Sequence, residues 1–228
     1  MNTVLKFAAA GFVGSMMLAA PVSAAPIMTG PTACTIFSGP TELAAAPISC
    51  AQFDSSLGTL ISMTLDISAR ITGTISLTNN ATSIQLVSGA TNSNFFVGPL
   101  AGFAFASPFA NPSFGTGFQN IGPGATFVSG ALDSGVVVAS QTIFAGFGAY
   151  QNAGGGLFGI TATTISGFAL TGGGGQITSA QTTQGTFTGA VSFLFDDGAV
   201  TTPEPASMAL LGAGMLALGV ARRRRNRA

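Results

Sequence analysis

From Ile61 to Leu77 the chain alternates without interruption. The odd positions Ile61, Met63, Leu65, Ile67, Ala69, Ile71, Gly73, Ile75 and Leu77 are apolar or small, and the even positions from Ser62 to Ser76 are all polar. Successive side chains of an extended backbone point to opposite faces, so this pattern fits a half-buried strand and does not fit a helix. The run exceeds the usual strand of about five or six residues, and a bend or bulge is expected in it, with Gly73 the natural place. Asp66 and Arg70 both fall on the polar face and are expected to pair there, at little gain in stability because the pair is exposed.

A second alternation lies near the end of the domain, with Phe187, Gly189, Val191, Phe193 and Phe195 on one face, closed by Asp196-Asp197-Gly198. Between the two, Ser83–Val87, Ala125–Ser129, Val136–Ser140, Gln141–Phe147 and Gly159–Leu170 read as further strands. The glycine runs Gly154–Gly156 and Gly172–Gly175 read as turns or loops, and neither continues into the Lys-Ser or Lys-Thr of a phosphate loop. Phe95–Phe118 carries phenylalanines among Gly, Pro, Asn and Ser without a steady period, which leaves a loop packed by its rings or an irregular pair of strands. Many strands with Gly- and Pro-bearing turns and no amphipathic helix between the chain ends predict an all-β fold, a single β-sandwich-like domain over residues 25–200.

The chain ends are of another kind. Residues 1–24 combine Lys6, an apolar run from Phe7 to Ala20 and the small-residue exit Val22-Ser23-Ala24, the pattern of a secretory signal peptide cleaved after Ala24. An uncleaved anchor would need a longer apolar run. At the other end, Thr201-Thr202-Pro203-Glu204-Pro205 leads into the uncharged run Ala206–Ala221 and then Arg222-Arg223-Arg224-Arg225-Asn226-Arg227. As a helix the run spans roughly 24 Å, just enough for a transmembrane helix over 206–221 if the arginines snorkel. Arg222, Arg223, Arg224, Arg225 and Arg227 act as the membrane stop signal, and the positive-inside rule keeps them cytoplasmic. The paired prolines hold the segment before the helix extended, as a protease requires of its substrate.

A Pro-Glu-Pro triplet, a short Ala/Gly/Leu helix and an Arg-rich terminus, in that order, resemble the PEP-CTERM sorting signal of Gram-negative bacteria. The resemblance implies processing by the membrane protease exosortase, with Pro203, Glu204 and Pro205 as recognition residues on the substrate. The N-terminal pattern implies export through the Sec translocon and signal peptidase, the apolar run with its arginines implies a transient anchor in the inner membrane, and the resemblance implies a final place at the cell surface or outside the cell. The segment Phe53–Leu65 also resembles the opening of choice-of-anchor E domains, which implies a secreted β domain of undefined activity.

Composition narrows the chemistry. Residues 25–202 hold one base, Arg70, against the acids Glu42, Asp54, Asp66, Asp133, Asp196 and Asp197, a formal balance of −5. Such a surface repels phosphate backbones, so no nucleic-acid partner is expected. The chain has no histidine and no tryptophan, Lys6 lies in the signal peptide, and the usual bases that activate a serine are absent. No cofactor and no catalytic residue are expected, and the protein is read as a non-enzyme. Cys34 and Cys50, the two cysteines, enter an oxidising compartment on export and are expected to form a disulfide worth about 3 kcal/mol in the chain-entropy model. No metal site is expected; Asp196 and Asp197 are weak calcium candidates beside the simpler reading of a polar turn. The reading is therefore a structural or interaction protein of the cell surface, biofilm or extracellular matrix, with exopolysaccharide as a partner. The alternatives are a carbohydrate- or calcium-binding module and a glycosidase using two of Asp54, Asp66, Asp133, Asp196 and Asp197, whose spacing selects no pair.

Overall fold

The computed structural model describes residues 25–42, 45–198, 212–219 and 222–223. Residues 25–197 form one compact unit. In chain order its strands are β1 (Ile27–Met28), β2 (Thr32–Ala33), β3 (Phe37–Pro40), β4 (Ala46–Asp54), β5 (Thr59–Asn79), β6 (Gln85–Val97), β7 (Ser113–Gly115), β8 (Gln119–Ile121), β9 (Thr126–Val128), β10 (Leu132–Asp133), β11 (Val137–Ile143), β12 (Gln151–Asn152), β13 (Gly156–Gly172) and β14 (Ile177–Asp196).

The two alternating runs find each other. β5 and β14 pair antiparallel over almost their whole length, from Ile177 opposite Asn79 to Asp196 opposite Thr59. β1, β2 and β3 line the far edge of β14, and β9, β10 and β11 line the far edge of β5, which completes the first sheet. The second sheet runs β12-β4-β13-β6, with β7 and β8 on the outer edge of β6. The two sheets enclose one core, to which β5 contributes Met63, Leu65, Ile67, Ile71, Ile75 and Leu77, all fully buried. The opposite face of β5 turns outward, and its threonines bond hydroxyl to hydroxyl across strands: Thr64 with Thr142 at 2.8 Å, Thr74 with Thr182 at 2.9 Å and Thr78 with Thr126 at 2.8 Å. The all-β, two-sheet expectation therefore holds for the described residues.

Several details differ from the sequence reading. The irregularity in β5 falls at Ile61, because Leu194 pairs with Ser62 and Phe195 with Leu60, leaving Ile61 as the extra residue of a bulge. The bulge turns Leu60 inward in place of Ile61. Gly73 stays in register; it is glycine because a Cβ there would collide with the Thr182 carbonyl oxygen. Arg70 does not pair with Asp66, which lies about 13 Å along the same strand. Its guanidinium instead forms a two-pronged bond with Asp133 of β10, Nε to Oδ1 at 2.7 Å and Nη2 to Oδ2. The two strands expected over Val136–Ser140 and Gln141–Phe147 are a single shorter strand, β11, which ends at Ile143 and is followed by a short 3₁₀ turn at Phe147–Ala149. The Phe95–Phe118 segment is the end of β6, an irregular stretch and β7, and it sends Phe103, Phe109 and Phe114 into the core.

Residues 1–24, with the expected cleavage after Ala24, lie outside the described residues. So does half of the expected 206–221 helix; residues 212–219 and 222–223 are helical. Among the described residues no helix is long and apolar enough to cross a membrane.

Candidate functional site

The inward face of β14 changes character along its length. Phe195, Phe193, Val191 and Phe187 are apolar and buried, whereas beyond Gly185 the inward positions are Thr183, Gln181 and Ser179. The change coincides with the end of β3, whose last pair is Pro40 opposite Gln184. Beyond that pair the outer edge of β14 has no neighbouring strand among the described residues. Thr183 and Gln181 are half-buried and Ser179 is exposed, so this stretch of β14 lies close enough to solvent for polar side chains to stand on its inner face.

The facing sheet answers in kind. Thr91 and Ser93 of β6 are 2 % and 0 % exposed, and Thr164 of β13 is also buried. The Thr91 hydroxyl donates to Oε1 of Gln181 across the gap, and Ser93 and Ser166 share a 2.5 Å hydroxyl bond. No buried side-chain polar atom among the described residues is left without a partner, which is the condition for such a seam to be tolerated.

The chain leaving β3 straps this seam. Thr41 donates its N–H to the Thr183 carbonyl at 3.3 Å and bonds the Thr183 hydroxyl at 2.5 Å. Glu42 then sends its backbone N–H to Oγ1 of Thr164 in the other sheet, 2.9 Å away. Among the described residues Glu42 is the one non-glycine with positive φ, at 75°, a conformation held at a cost in backbone energy. Pro40, Thr41, Glu42 and Gln181–Gln184 line an open cleft of about 420 Å³. No local sequence pattern marks it: Glu42 counts only as one acid among six in residues 25–202, and the signal that points to it is the switch from Phe to Thr and Gln on the inner face of β14.

The expected disulfide forms between Cys34 and Cys50. Cys34 donates its N–H to Gly189 of β14, while Cys50 belongs to β4, so the bridge staples one sheet to the other. The carboxylates are dispersed. Asp54 accepts from the Ser56 hydroxyl at 2.6 Å, from the Ser56 N–H and from the Gly154 N–H, and these bonds, the Ser56 hydroxyl first, hold it below the usual carboxylate range. Asp133 is held low first by its bond from Arg70 and then by the Gly135 N–H. Asp66 lies on the outer face of the first sheet, in a shallow depression with Ala33, Val138 and Ala190. Asp196 ends β14 opposite Thr59. Among the described residues no three His, Cys, Asp or Glu side chains gather to hold a metal ion, at Asp196 and Asp197 or elsewhere. Tyr150 is buried at 2 % exposure, donates its hydroxyl to the Ala101 carbonyl at 2.7 Å, and has its pKa raised by burial.

Of the sorting-signal residues, Arg222 and Arg223 are described and exposed, while Pro203, Glu204, Pro205, Arg224, Arg225 and Arg227 lie outside the described residues. No curated protein matches the chain. Among solved structures it is similar to infectious bursal disease virus, Gx strain, at 13% identity over 93% of this chain and 55% of that one, with a TM-score of 0.17. It is similar also to the T13 particle of the same virus, at 13% identity over 88% of this chain and 45% of that one, with a TM-score of 0.19. The chain thus spans about half the length of these structures, and likeness at such TM-scores carries no argument. The family match lies at the C-terminus and does not reach Phe53–Leu65, so the resemblance of that segment to choice-of-anchor E domains gains no support from it. Residues 201–225 match the PEP-CTERM protein-sorting motif, the mark of an exported protein that exosortase processes.

Proposed function

We propose that the protein is a non-catalytic structural or interaction component of the cell surface or extracellular matrix, associated with biofilm or exopolysaccharide. It would be delivered by the Sec route, held briefly in the inner membrane by its C-terminal run and then processed by exosortase. The observation that carries this reading is the sorting motif at residues 201–225. Support for a non-catalytic β unit comes from its chemistry. Without histidine or lysine in residues 25–202 there is no ordinary base for a nucleophile, and Asp54 and Asp133 are each engaged in their own local bonds.

The test is fractionation of producing cells with and without exosortase. Processed protein is expected in the envelope or medium of the parent, and a longer form retained in the inner membrane without the protease. Unchanged release from the exosortase-less strain would remove the sorting claim. A carbohydrate-binding module is the second reading, and the polar cleft beside Glu42 favours it over a calcium site.

A further inference from the structure

We infer that the cleft between β14 and the Thr41-Glu42 strap binds a neutral, hydroxyl-rich chain, a segment of uncharged polysaccharide. This deepens the interaction role proposed above and rests on it only for biological setting. The cleft, at about 420 Å³, lies within the range of small-ligand sites, roughly 300–1,000 Å³. Besides Pro40, its lining residues carry hydrogen-bonding groups: the carboxylate of Glu42, the amides of Gln181 and Gln184 and the hydroxyls of Thr41, Thr182 and Thr183. A carboxylate and a primary amide each offer two polar atoms in a plane, the geometry that meets neighbouring hydroxyls on a sugar ring.

Part of this lining is fixed before any ligand arrives. Thr41 is tied to Thr183, Gln181 is engaged by Thr91, and the Glu42 backbone is pinned to Thr164. Pre-ordering of this kind reduces the entropy lost on binding. The backbone contributes as well. The carbonyls of Phe193, Gly189 and Thr183 all accept from the chain along the outer edge of β14, and by the same two-residue alternation the polar backbone groups of Gln181 face that edge inside the cleft.

Charge selects among ligands. Glu42 disfavours uronates, sulfates and phosphates, and Arg70, the one base of the β unit, is bound to Asp133. A peptide added as a strand would need pockets for its alternate side chains, and among the described residues the lining offers one apolar side chain, Pro40. Among the described residues no aromatic ring lines the cleft, so the affinity of one site is low and binding to a polymer gains from many copies meeting many repeats.

Affinity electrophoresis of the exported protein purified from producing cells, in gels containing galactomannan, mixed-linkage β-glucan or polygalacturonate, tests the inference. Retardation is expected with a neutral polymer and not with polygalacturonate. Glu42→Gln and Gln184→Ala should each weaken retardation at least threefold, and Thr163→Ala, on the outer face of the second sheet, should leave it unchanged. Glu42→Gly separates a binding role from a structural one: it relieves the left-handed backbone and should raise the melting temperature while weakening retardation as Glu42→Gln does. No retardation by either neutral polymer, retardation by polygalacturonate alone, or full retardation of the Glu42 and Gln184 variants would overturn the inference. So would self-association that competes with polymer and is lost in those variants. None of these results bears on exosortase processing, which the fractionation reads separately.

Discussion

The two ends of the interior are enclosed by the same pair of sheets and share the apolar face of β5, but they differ in what β14 and the facing sheet bring to them. At one end Phe53 sits between the rings of Phe193 and Phe195, at 5.5 and 5.1 Å, and Tyr150 meets Phe158 and Phe103 edge-on at 5.0 and 5.5 Å. There β1, β2, β3 and the Cys34–Cys50 bridge close the edge of β14. At the other end the edge of β14 is open, and beside the buried Ile75, Leu77 and Val87 runs a seam of Thr91, Ser93, Thr164, Ser166, Gln181 and Thr183, tied by hydrogen bonds. Closure against water decides which filling is stable. A dry space rewards apolar area, and a wet one rewards polar groups that are already paired.

That contrast is most easily broken at Phe53, which is 2 % exposed. Phe53→Ala should cost about 3–5 kcal/mol, the usual loss for deleting a buried ring into a space that cannot collapse. Chemical denaturation of the folded protein measures it. A loss well under 2 kcal/mol would mean that this end is looser than its ring contacts indicate.

The edge closure can be removed without touching the core. Replacing both Cys34 and Cys50 by serine should cost about 3 kcal/mol for a loop of this length, with a sequence separation of 16. The bridge also pins the first residues of the unit to both sheets, so hydrogen exchange should rise along β1 and β2 more than at Gln181 and Thr183. Equal increases at both ends would show that the edge strands do not separate the two environments.

At the seam the sign of a substitution depends on its partner. Thr91→Val keeps the shape of the side chain and removes the donor to Gln181, which should cost about 1–3 kcal/mol, the penalty for a polar atom left without its bond. Adding Gln181→Leu removes the orphaned acceptor and should recover at least half of that. A double-mutant cycle with no coupling would show that water already satisfies Gln181.

Legibility in the sequence followed the same division. The apolar inner face of β5 was readable because every second residue from Met63 to Leu77 obeys one rule, and the inner face of β14 was readable as far back as Phe187. The seam was not, because Thr and Gln on an inner face look like Thr and Gln on an outer one. Only the pairing of β14 with β3 reveals where the edge opens. The Ile61 bulge escaped for a related reason: bulges are set by the partner's register, and neither Leu60 nor Ile61 differs in hydropathy enough to mark which turns inward. The disulfide was legible by number alone, since two cysteines in an exported chain have one pairing. The cleft residue Glu42 was illegible because its role comes from a strap between sheets, which no local pattern encodes. In the C-terminal signal, by contrast, composition and order carry the message themselves, and the match at residues 201–225 follows them directly.

The smallest effects concern pH, and they too separate the ends. The seam is made of hydroxyls and amides that do not titrate in the working range, and the apolar end holds one ionisable group, Tyr150, whose pKa is raised by burial. A phenol with a raised folded pKa favours the unfolded state once pH exceeds the unfolded value of about 10, because the unfolded chain then releases the proton more readily. The carboxylates behave in the opposite sense. Asp54 and Asp133 have lowered pKa values in the folded protein, so their contribution is present above the unfolded value of about 3.9 and is lost as pH falls through the folded ones. The urea midpoint should therefore be flat between about pH 5 and 9 and decline modestly below pH 4. Asp54→Asn with Asp133→Asn should flatten the acid limb, and Tyr150→Phe should flatten the alkaline limb while losing the bond to Ala101. An acid decline that survives both Asp substitutions would place the responsible carboxylate elsewhere.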